Sequence, residues 1–254
     1  MDFKSITQAK KLTGLSYIGK VNNSTKHEKA FKYNEMVYTI YLAPAKSSGY
    51  EVCPGRTAEC TLLCLNESGK NKMNTEREVI RNSRIKKTRL FHEDHQFFVK
   101  WVFEEIKLAR KKAEKLNYRF SVRLNNTSDI SPEDFYILNE DGVRVNILEY
   151  FNDVQFYDYT KVPERLELTK KYSNYDLTFS FSGTNKFDCL QMLKNDVRVS
   201  VVFKTVPETF WGYPVVNGDN YDMRYLDPKQ SIIGLKFKQV RNKLDKRYKF
   251  VIQD

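Results

Sequence analysis

The stretch "DLTFSFSGTNKFDCLQMLKNDVRVSVVFK" (176–204) decides the predicted fold. It contains a strand pattern (176–184), a helix pattern (186–195) and a second strand pattern (197–204). A strand that is followed by a helix and another strand is the βαβ unit, in which the two strands run parallel. The stretch therefore predicts an α/β protein with a parallel sheet.

The same alternation extends in both directions along the chain. The remaining predicted strands are 36–44, 118–126, 154–162, 213–217 and 231–238, and helices are predicted over 146–151 and 163–172. Residues 75–117 predict two helices, the first capped at Thr75, that break near His92. We expect one domain, 1–254, with an irregular lead-in (1–35) and an α/β body (36–254).

The two faces of the predicted strands differ in polarity. Arg123 and Asn125 alternate with apolar residues in one strand, and Ser180 does so in another. Strands covered by helices on both faces are nearly continuous apolar runs. The pattern therefore favours a (β/α) barrel, partial or irregular TIM-type, with added N-terminal helices and a polar lumen. The alternative is a sheet with one face in water.

The polar face supplies the candidate cofactor-binding residues. They are Arg123, Asn125 and Ser180, together with Asp158, a carboxylate between aromatic neighbours in "FYDYTK". A charged group in such surroundings is a candidate for a perturbed pKa and a functional role.

The chain is strongly basic. Lys and Arg number 43 against 32 Asp and Glu, a formal charge of +11. Such a surface attracts polyanions, so three interpretations stay open. The protein binds nucleic acid, it binds a phosphorylated substrate, or its basic surface has no specific anionic partner. Basic residues concentrate in "RNSRIKKTR" (81–89) and "RNKLDKRYK" (241–249). Without an apolar segment long enough for a membrane or a leader, we expect a cytoplasmic protein without a membrane partner.

A second stretch, "YEVCPGRTAECTLLCLN" (50–66), contains three of the four cysteines: Cys53, Cys60 and Cys64. In a reducing cytosol such a cluster indicates a metal rather than disulfides. If Thr57 caps a short helix, Cys60 and Cys64 lie one turn apart on the same face.

Three interpretations of the cluster stay open. Zinc is one, but the gaps of six and three residues between the cysteines fit zinc knuckles poorly. An iron–sulfur cluster is the second, and it tolerates irregular spacing. Thiols that bind no metal are the third. Cys189 follows a strand at the rim where the cysteine loop is also expected, so it is the candidate fourth ligand; the alternative is a small core cysteine on the helix "FDCLQML". We favour [4Fe-4S], with [3Fe-4S] as the alternative. An iron without a protein ligand could bind substrate or S-adenosylmethionine.

The sequence also resembles a known family. "CPGRTAEC", "FYDYTK", "LTFSFSGTN" and "GYPVVNGDNYDMRYLDP" occur in the order found in the bacteriophage family called gene product 88. The resemblance implies a phage-borne protein whose Cys53, Cys60 and Cys64 hold an iron–sulfur cluster. The chain is also distantly similar to radical S-adenosylmethionine enzymes, whose cysteine gaps of three and two residues differ from those here.

These features predict a virus-encoded iron–sulfur protein in the host cytoplasm. The expected chemistry is redox or cluster-assisted catalysis on a small anionic or nucleotide-like substrate. The alternative is a nucleic-acid-binding protein in which zinc or a cluster only stabilises the loop.

Overall fold

The computed structural model describes residues 2–22, 24–64, 74–238 and 244–253. The helices are α1 (Ile6–Thr13), α2 (Thr25–Glu28), α3 (Ala58–Leu62), α4 (Asn74–Glu93), α5 (His95–Lys115), α6 (Ile147–Tyr150), α7 (Leu168–Lys171) and α8 (Lys186–Lys194). The strands are β1 (Gly19–Val21), β2 (Glu35–Ile40), β3 (Arg119–Arg123), β4 (Tyr136–Leu138), β5 (Arg144–Asn146), β6 (Gln155–Thr160), β7 (Tyr175–Ser180), β8 (Val199–Phe203), β9 (Thr209–Phe210), β10 (Tyr213–Asn217), β11 (Ile232–Lys236) and β12 (Val251–Ile252).

The main sheet is mixed but mostly parallel. Its order is β1-β2-β3-β6-β7-β8-β11-β10-β9, and β12 pairs with β8. The strands β2, β3, β6, β7, β8, β11 and β10 run parallel to one another, while β1 and β9 are antiparallel additions at the two edges. The α/β fold with a parallel sheet, predicted from the βαβ pattern, is confirmed.

The main hydrophobic core lies between the sheet and its helices. α5 contributes a stripe of fully buried side chains that includes Phe98, Trp101 and Ile106, and β7 and β8 contribute Phe179 and Val201. Each large apolar side chain buried in this way stabilises the fold by about 1.5–3 kcal/mol. The apolar face of the strands thus points to the helices, as the sequence pattern indicated.

The predicted break between the two long helices is confirmed. α4 ends at Glu93 and α5 begins at His95, because the Asp94 carboxylate accepts a hydrogen bond from Phe97 N at 3.3 Å and caps α5. The predicted cap at Thr75 lies outside the residues whose side chains the structure describes, as do residues 239–243 of the basic tail.

The first 35 residues are more regular than the sequence suggested. They contain α1, β1, α2 and a 3-10 turn from Lys29 to Tyr33. Ser5 caps α1 at one end, and Gly14 ends it with φ 68°. β1 then pairs antiparallel with β2. The polar composition concealed these short elements, although Ser5 and Gly14 were signals for them.

A closed barrel is not confirmed. Within the described residues the edge strands β1 and β9 do not pair with each other, so the sheet is open. The N-terminal segment and the β10–β11 connection nevertheless meet, since Lys29 Nζ donates a hydrogen bond to Asp219 O at 2.7 Å. None of the described helices has the length and apolar character needed to cross a membrane.

Candidate functional site

The cysteine loop lies at the carboxyl edge of the parallel strands. Thr57 caps α3 by accepting a hydrogen bond from Cys60 N at 3.2 Å, as predicted, and its hydroxyl donates to Ser182 O, beyond the end of β7, at 3.1 Å. Gly55 packs against the residue that follows β6: a side-chain carbon at position 55 would lie 2.7 Å from Lys161 Cβ. The Pro-Gly turn therefore allows the loop to reach the strand ends.

The C-terminal segment also holds this loop in place. The Glu59 carboxylate of α3 accepts hydrogen bonds from the backbone N–H groups of Lys249 and Phe250, both at 2.7 Å. Leu63, at the end of α3, packs with Val251 of β12 in a small apolar cluster. The loop is thus fixed on two sides, by the strand ends and by β12.

Cys53 is half-buried at the base of the loop. Its Sγ accepts a hydrogen bond from Ala45 N at 3.4 Å and lies 3.7 Å from Thr127 O. Burial raises the pKa of the Cys53 thiol to about 12, and the nearby Cys64 and Cys60 add to this rise. The thiol is therefore protonated at neutral pH, and a bound cation would reverse that preference.

Cys60 and Cys64 line the same cavity as Cys53, and both are near enough to influence the Cys53 thiol. Among the described residues, however, no three His, Cys, Asp or Glu side chains are close enough to hold one metal ion. The donor set is thus of the right chemical type for a cluster, in a more open arrangement than that of bound ligands.

Cys189 is separated from these three. It is fully buried in the main core, on α8, and it is not one of the residues that line the cavity. Burial raises the pKa of its thiol to about 12, whereas the charge of Lys161 lowers it, as it does for Cys53. Lys161 thus lies near both thiols, whereas Cys189, the candidate fourth ligand, does not line the cavity.

The cavity has a volume of about 1760 Å³ and extends from the cysteine loop across the polar face of the sheet. Among its charged lining residues, cations outnumber carboxylates. The cations are Lys20, Lys26, Lys29, Arg56, Arg84, Lys86, Lys87, Arg123, Lys161, Lys236 and Lys238, against Glu28, Asp129, Asp219 and Asp222. An anionic ligand is favoured there because the surrounding charge is positive and partly shielded from water.

A buried ion cluster lies at one side of the cavity. The Asp222 carboxylate accepts from Arg123 Nη1 at 2.6 Å and contacts His27 Nε2 at 2.9 Å and Lys26 Nζ at 3.2 Å. Burial alone would raise the pKa of Asp222, but Arg123 and Lys26 lower it well below its usual range. This carboxylate links α2, β3 and the β10–β11 connection.

Two of the predicted cofactor-binding residues, Arg123 of β3 and Ser180 of β7, line the cavity from the strands on either side of β6. The Arg123 guanidinium stacks over the Tyr159 ring at 4.6 Å from its centroid, besides binding Asp222. Ser180 lines the cavity together with Ser200, whose hydroxyl donates to Ser180 Oγ at 3.0 Å. These side chains could contact a ligand.

The other two predicted residues, Asn125 and Asp158, bind mainly each other. Asn125 lines the cavity, but its backbone N–H and side-chain amide both donate to the Asp158 carboxylate, at 2.7 and 3.2 Å. Asp158 is buried and, unlike its neighbour Tyr159, does not line the cavity. Asp158 thus stabilises the loop after β3 from the interior of the protein.

Asp158 is expected to give the protein a specific pH dependence. Burial raises its pKa from 3.8 to about 7. The folded chain therefore binds a proton in this range that the unfolded chain has released, so stability is lost as the pH rises. We therefore compare the free energies of unfolding of the native protein and the Asp158→Asn variant. The difference, native minus variant, should fall by about 1 kcal/mol for each unit that the pH rises across this window. Urea unfolding at several pH values would measure it, and a constant difference would contradict the assignment.

Several residues of the cavity were not predicted as site residues. Asp222 was visible in the sequence as a carboxylate within "NYDMRYLDP", but nothing local connects it to His27 or Arg123, which are distant along the chain. Lys87 of α4 is buried in the cavity wall, although its sequence context is an ordinary basic helix. Only the tertiary arrangement brings these groups together.

A family model described as Gene product 88 matches residues 4–253. The matched range includes the cysteine loop, the strands whose polar face lines the cavity, and β12. No curated protein and no solved structure matches the chain.

Proposed function

The chain belongs to the Gene product 88 family, and from this premise we propose that it is a virus-encoded iron–sulfur protein of the host cytoplasm. Its cluster would be bound by Cys53, Cys60 and Cys64 at the mouth of the cationic cavity. The proposed activity is redox or cluster-assisted catalysis on a small anionic or nucleotide-like substrate.

One observation carries the proposal: three thiols from one loop line the same large cavity as an excess of lysine and arginine side chains. Thiolates are the ligands that iron–sulfur clusters require. The same cavity offers an anionic substrate both space and positive charge beside these thiols.

The residues around the thiols suit such a group. Backbone N–H groups that donate to cysteine sulfur, as Ala45 N does to Cys53 Sγ, are among the contacts that tune a cluster. Lys161 contributes positive charge near Cys53, which would balance thiolate charge. When bound, the cluster would supply electron transfer or a Lewis-acidic iron. Arg123 and Ser180 would then orient the substrate's anionic and polar groups.

The proposal includes a barrel-like arrangement and a place for S-adenosylmethionine. Residues of β1 and of β11, near opposite edges of the sheet, line the same cavity, which supports a partial barrel. The loop follows β2, the first parallel strand. The three loop thiols would bind three irons, because Cys189 lies in the core. The fourth iron of a [4Fe-4S] cluster would then have no cysteine ligand, whereas a [3Fe-4S] cluster has no fourth iron.

Reconstitution tests the proposal. Metal-free protein is incubated under anaerobic conditions with ferrous iron and sulfide, or with zinc alone, and desalted. Retention of several irons and sulfides per chain, with broad absorbance at about 400 nm, is the expected result. Retention of one zinc and no iron would overturn it.

The cationic cavity also favours a second candidate function, binding of nucleic acid with only a structural metal. α4 contributes Arg84, Lys86 and Lys87 to the lining, which also includes aromatic rings such as Tyr41 and Tyr159. Phosphate contacts and base stacking are the usual components of single-strand binding. This function predicts affinity for oligonucleotides that falls steeply with salt and survives Cys60→Ala.

A further inference from the structure

A serine, a histidine and an aspartate are joined in series in the wall of the cavity. Ser24 Oγ lies 3.0 Å from His27 Nδ1, and His27 Nε2 lies 2.9 Å from Asp222 Oδ2. All three residues line the cavity. A hydroxyl on one ring nitrogen of a histidine, with a carboxylate on the other nitrogen, is the arrangement by which many hydrolases activate a serine.

The aspartate decides which nitrogen of the His27 ring carries the proton. Burial raises the pKa of Asp222, but Arg123 Nη1 at 2.6 Å and Lys26 Nζ at 3.2 Å hold it well below its usual range. An ionised carboxylate only accepts hydrogen bonds, so a neutral His27 donates to it from Nε2. The lone pair of Nδ1 is then left to accept the proton of the Ser24 hydroxyl.

Burial decreases along this series towards the hydroxyl. Asp222 is completely buried and His27 has 1% of its surface exposed, whereas Ser24 is half-buried. Ser24 Oγ also accepts a hydrogen bond from His27 N at 3.2 Å, which fixes its position at the start of α2. The hydroxyl is therefore the member of the series that a ligand in the cavity can reach most easily.

An independent observation lies two residues before the serine. Asn22 lines the cavity with 8% of its surface exposed, and its Nδ2 has no hydrogen-bond partner among the described residues. The orientation of this amide is set because Oδ1 accepts from Val37 N at 2.7 Å. A buried N–H group without an acceptor costs about 1–3 kcal/mol. A ligand oxygen would remove this cost, and asparagine amides are common donors to the oxyanion of acyl transfer.

We propose that Ser24, His27 and Asp222 form a catalytic triad that hydrolyses esters of anionic compounds, with the Asn22 amide as a donor to the oxyanion. The cavity favours an anionic substrate because lysine and arginine outnumber carboxylates in its lining. This activity goes beyond the proposed function and requires no metal.

The reaction has two steps. Ser24 Oγ bonds to the carbonyl carbon while its proton moves to His27 Nδ1, and that proton passes to the leaving alcohol as the ester bond breaks. Water then gives a proton to the same nitrogen and attacks the acyl group, which releases the carboxylic acid and returns the proton to the serine. In both steps Asp222 stabilises the positive charge on the His27 ring.

Labelling with diisopropyl fluorophosphate tests whether the serine is activated. The serine oxygen of a triad bonds to the phosphorus and fluoride leaves, whereas serines without a base do not react. Metal-free, full-length protein is treated with this probe and digested, and the modified peptide is identified by mass spectrometry. The expected result is about one diisopropylphosphoryl group per chain, on Ser24. A native protein that stays unlabelled, or that is labelled only at other residues, would refute the triad.

Three variants separate catalysis from a structural role. Ser24→Ala should abolish the labelling. Asn22→Asp can still accept from Val37 N but offers no donor, so it should slow the labelling by about a hundredfold or more. Ser83→Ala is the matched control, because Ser83 is a half-buried serine of α4 that also lines the cavity. It should be labelled at the native rate, and an equal loss in Ser83→Ala and Ser24→Ala would contradict the assignment.

Turnover is measured with 4-acetoxy-3-nitrobenzoate, an anionic acetyl ester that releases a coloured nitrophenolate. The value of kcat/KM should fall by about a hundredfold or more in Ser24→Ala. Equal rates for the native protein and this variant would rule out hydrolysis by Ser24. Since no metal is present in these experiments, their outcomes are separate from the reconstitution result.

Discussion

Replacing Asp222 by asparagine is expected to lower the free energy of unfolding by about 3–5 kcal/mol. The carboxylate is completely buried and binds Arg123, His27 and Lys26. Removing its charge leaves the guanidinium of Arg123, whose side chain is only 11% exposed, without a counter-ion. The same change loosens the link between α2 and the β10–β11 connection, which is the bridge between the two ends of the sheet.

Asp219→Asn is the matched control, because Asp219 lies three residues away and pairs with the exposed Lys238. Its expected cost is about 1 kcal/mol or less. Urea denaturation of both variants measures the difference. The double variant Arg123→Met with Asp222→Asn should be more stable than the two single changes predict by addition, since neither charge is left alone. Equal effects of Asp222→Asn and Asp219→Asn would contradict this view of the cluster.

Single cysteine substitutions give the second large effect. Serine at position 53, 60 or 64 is expected to reduce bound iron from about four per chain to below about one, because two thiolates do not retain a cluster in a cavity open to water. The visible absorbance should disappear in parallel. Iron and sulfide analysis after reconstitution measures both.

Cys189→Ala is the control for these variants. Its thiol lies in the core and does not line the cavity, so iron content should stay at the native level while stability falls by about 1 kcal/mol. Circular dichroism confirms that each variant is folded before its metal is counted. Full iron retention by Cys60→Ser, or loss of iron in Cys189→Ala, would show that the ligand set is different.

Much of the fold was predictable because its signals are local. The alternation of Leu177 and Phe179 with Thr178 and Ser180 marks β7, and the spacing of apolar residues marks α5. The helix α3 with its Thr57 cap was also evident. Such patterns report which face of an element is buried, and the βαβ order then favours parallel pairing.

Other features depend on contacts that no local pattern encodes. β12 is two residues long and exists because it pairs with β8 beside the cysteine loop. Whether the sheet closes depends on the edge strands, which carry weak signals. Asp158 lies next to the cavity-lining Tyr159, yet it is buried, and Asn125 donates two hydrogen bonds to its carboxylate. A sequence shows a charged residue, but only the fold shows which partner neutralises it.

The central claim is that the cysteine loop binds an iron–sulfur cluster. The most direct test is anaerobic purification of the native protein, followed by iron, sulfide and zinc analysis with visible and electron paramagnetic resonance spectra. The account predicts about four irons and four sulfides per chain, broad absorbance at about 400 nm, and a paramagnetic signal after reduction. Colourless protein that contains one zinc per chain and no sulfide would contradict it.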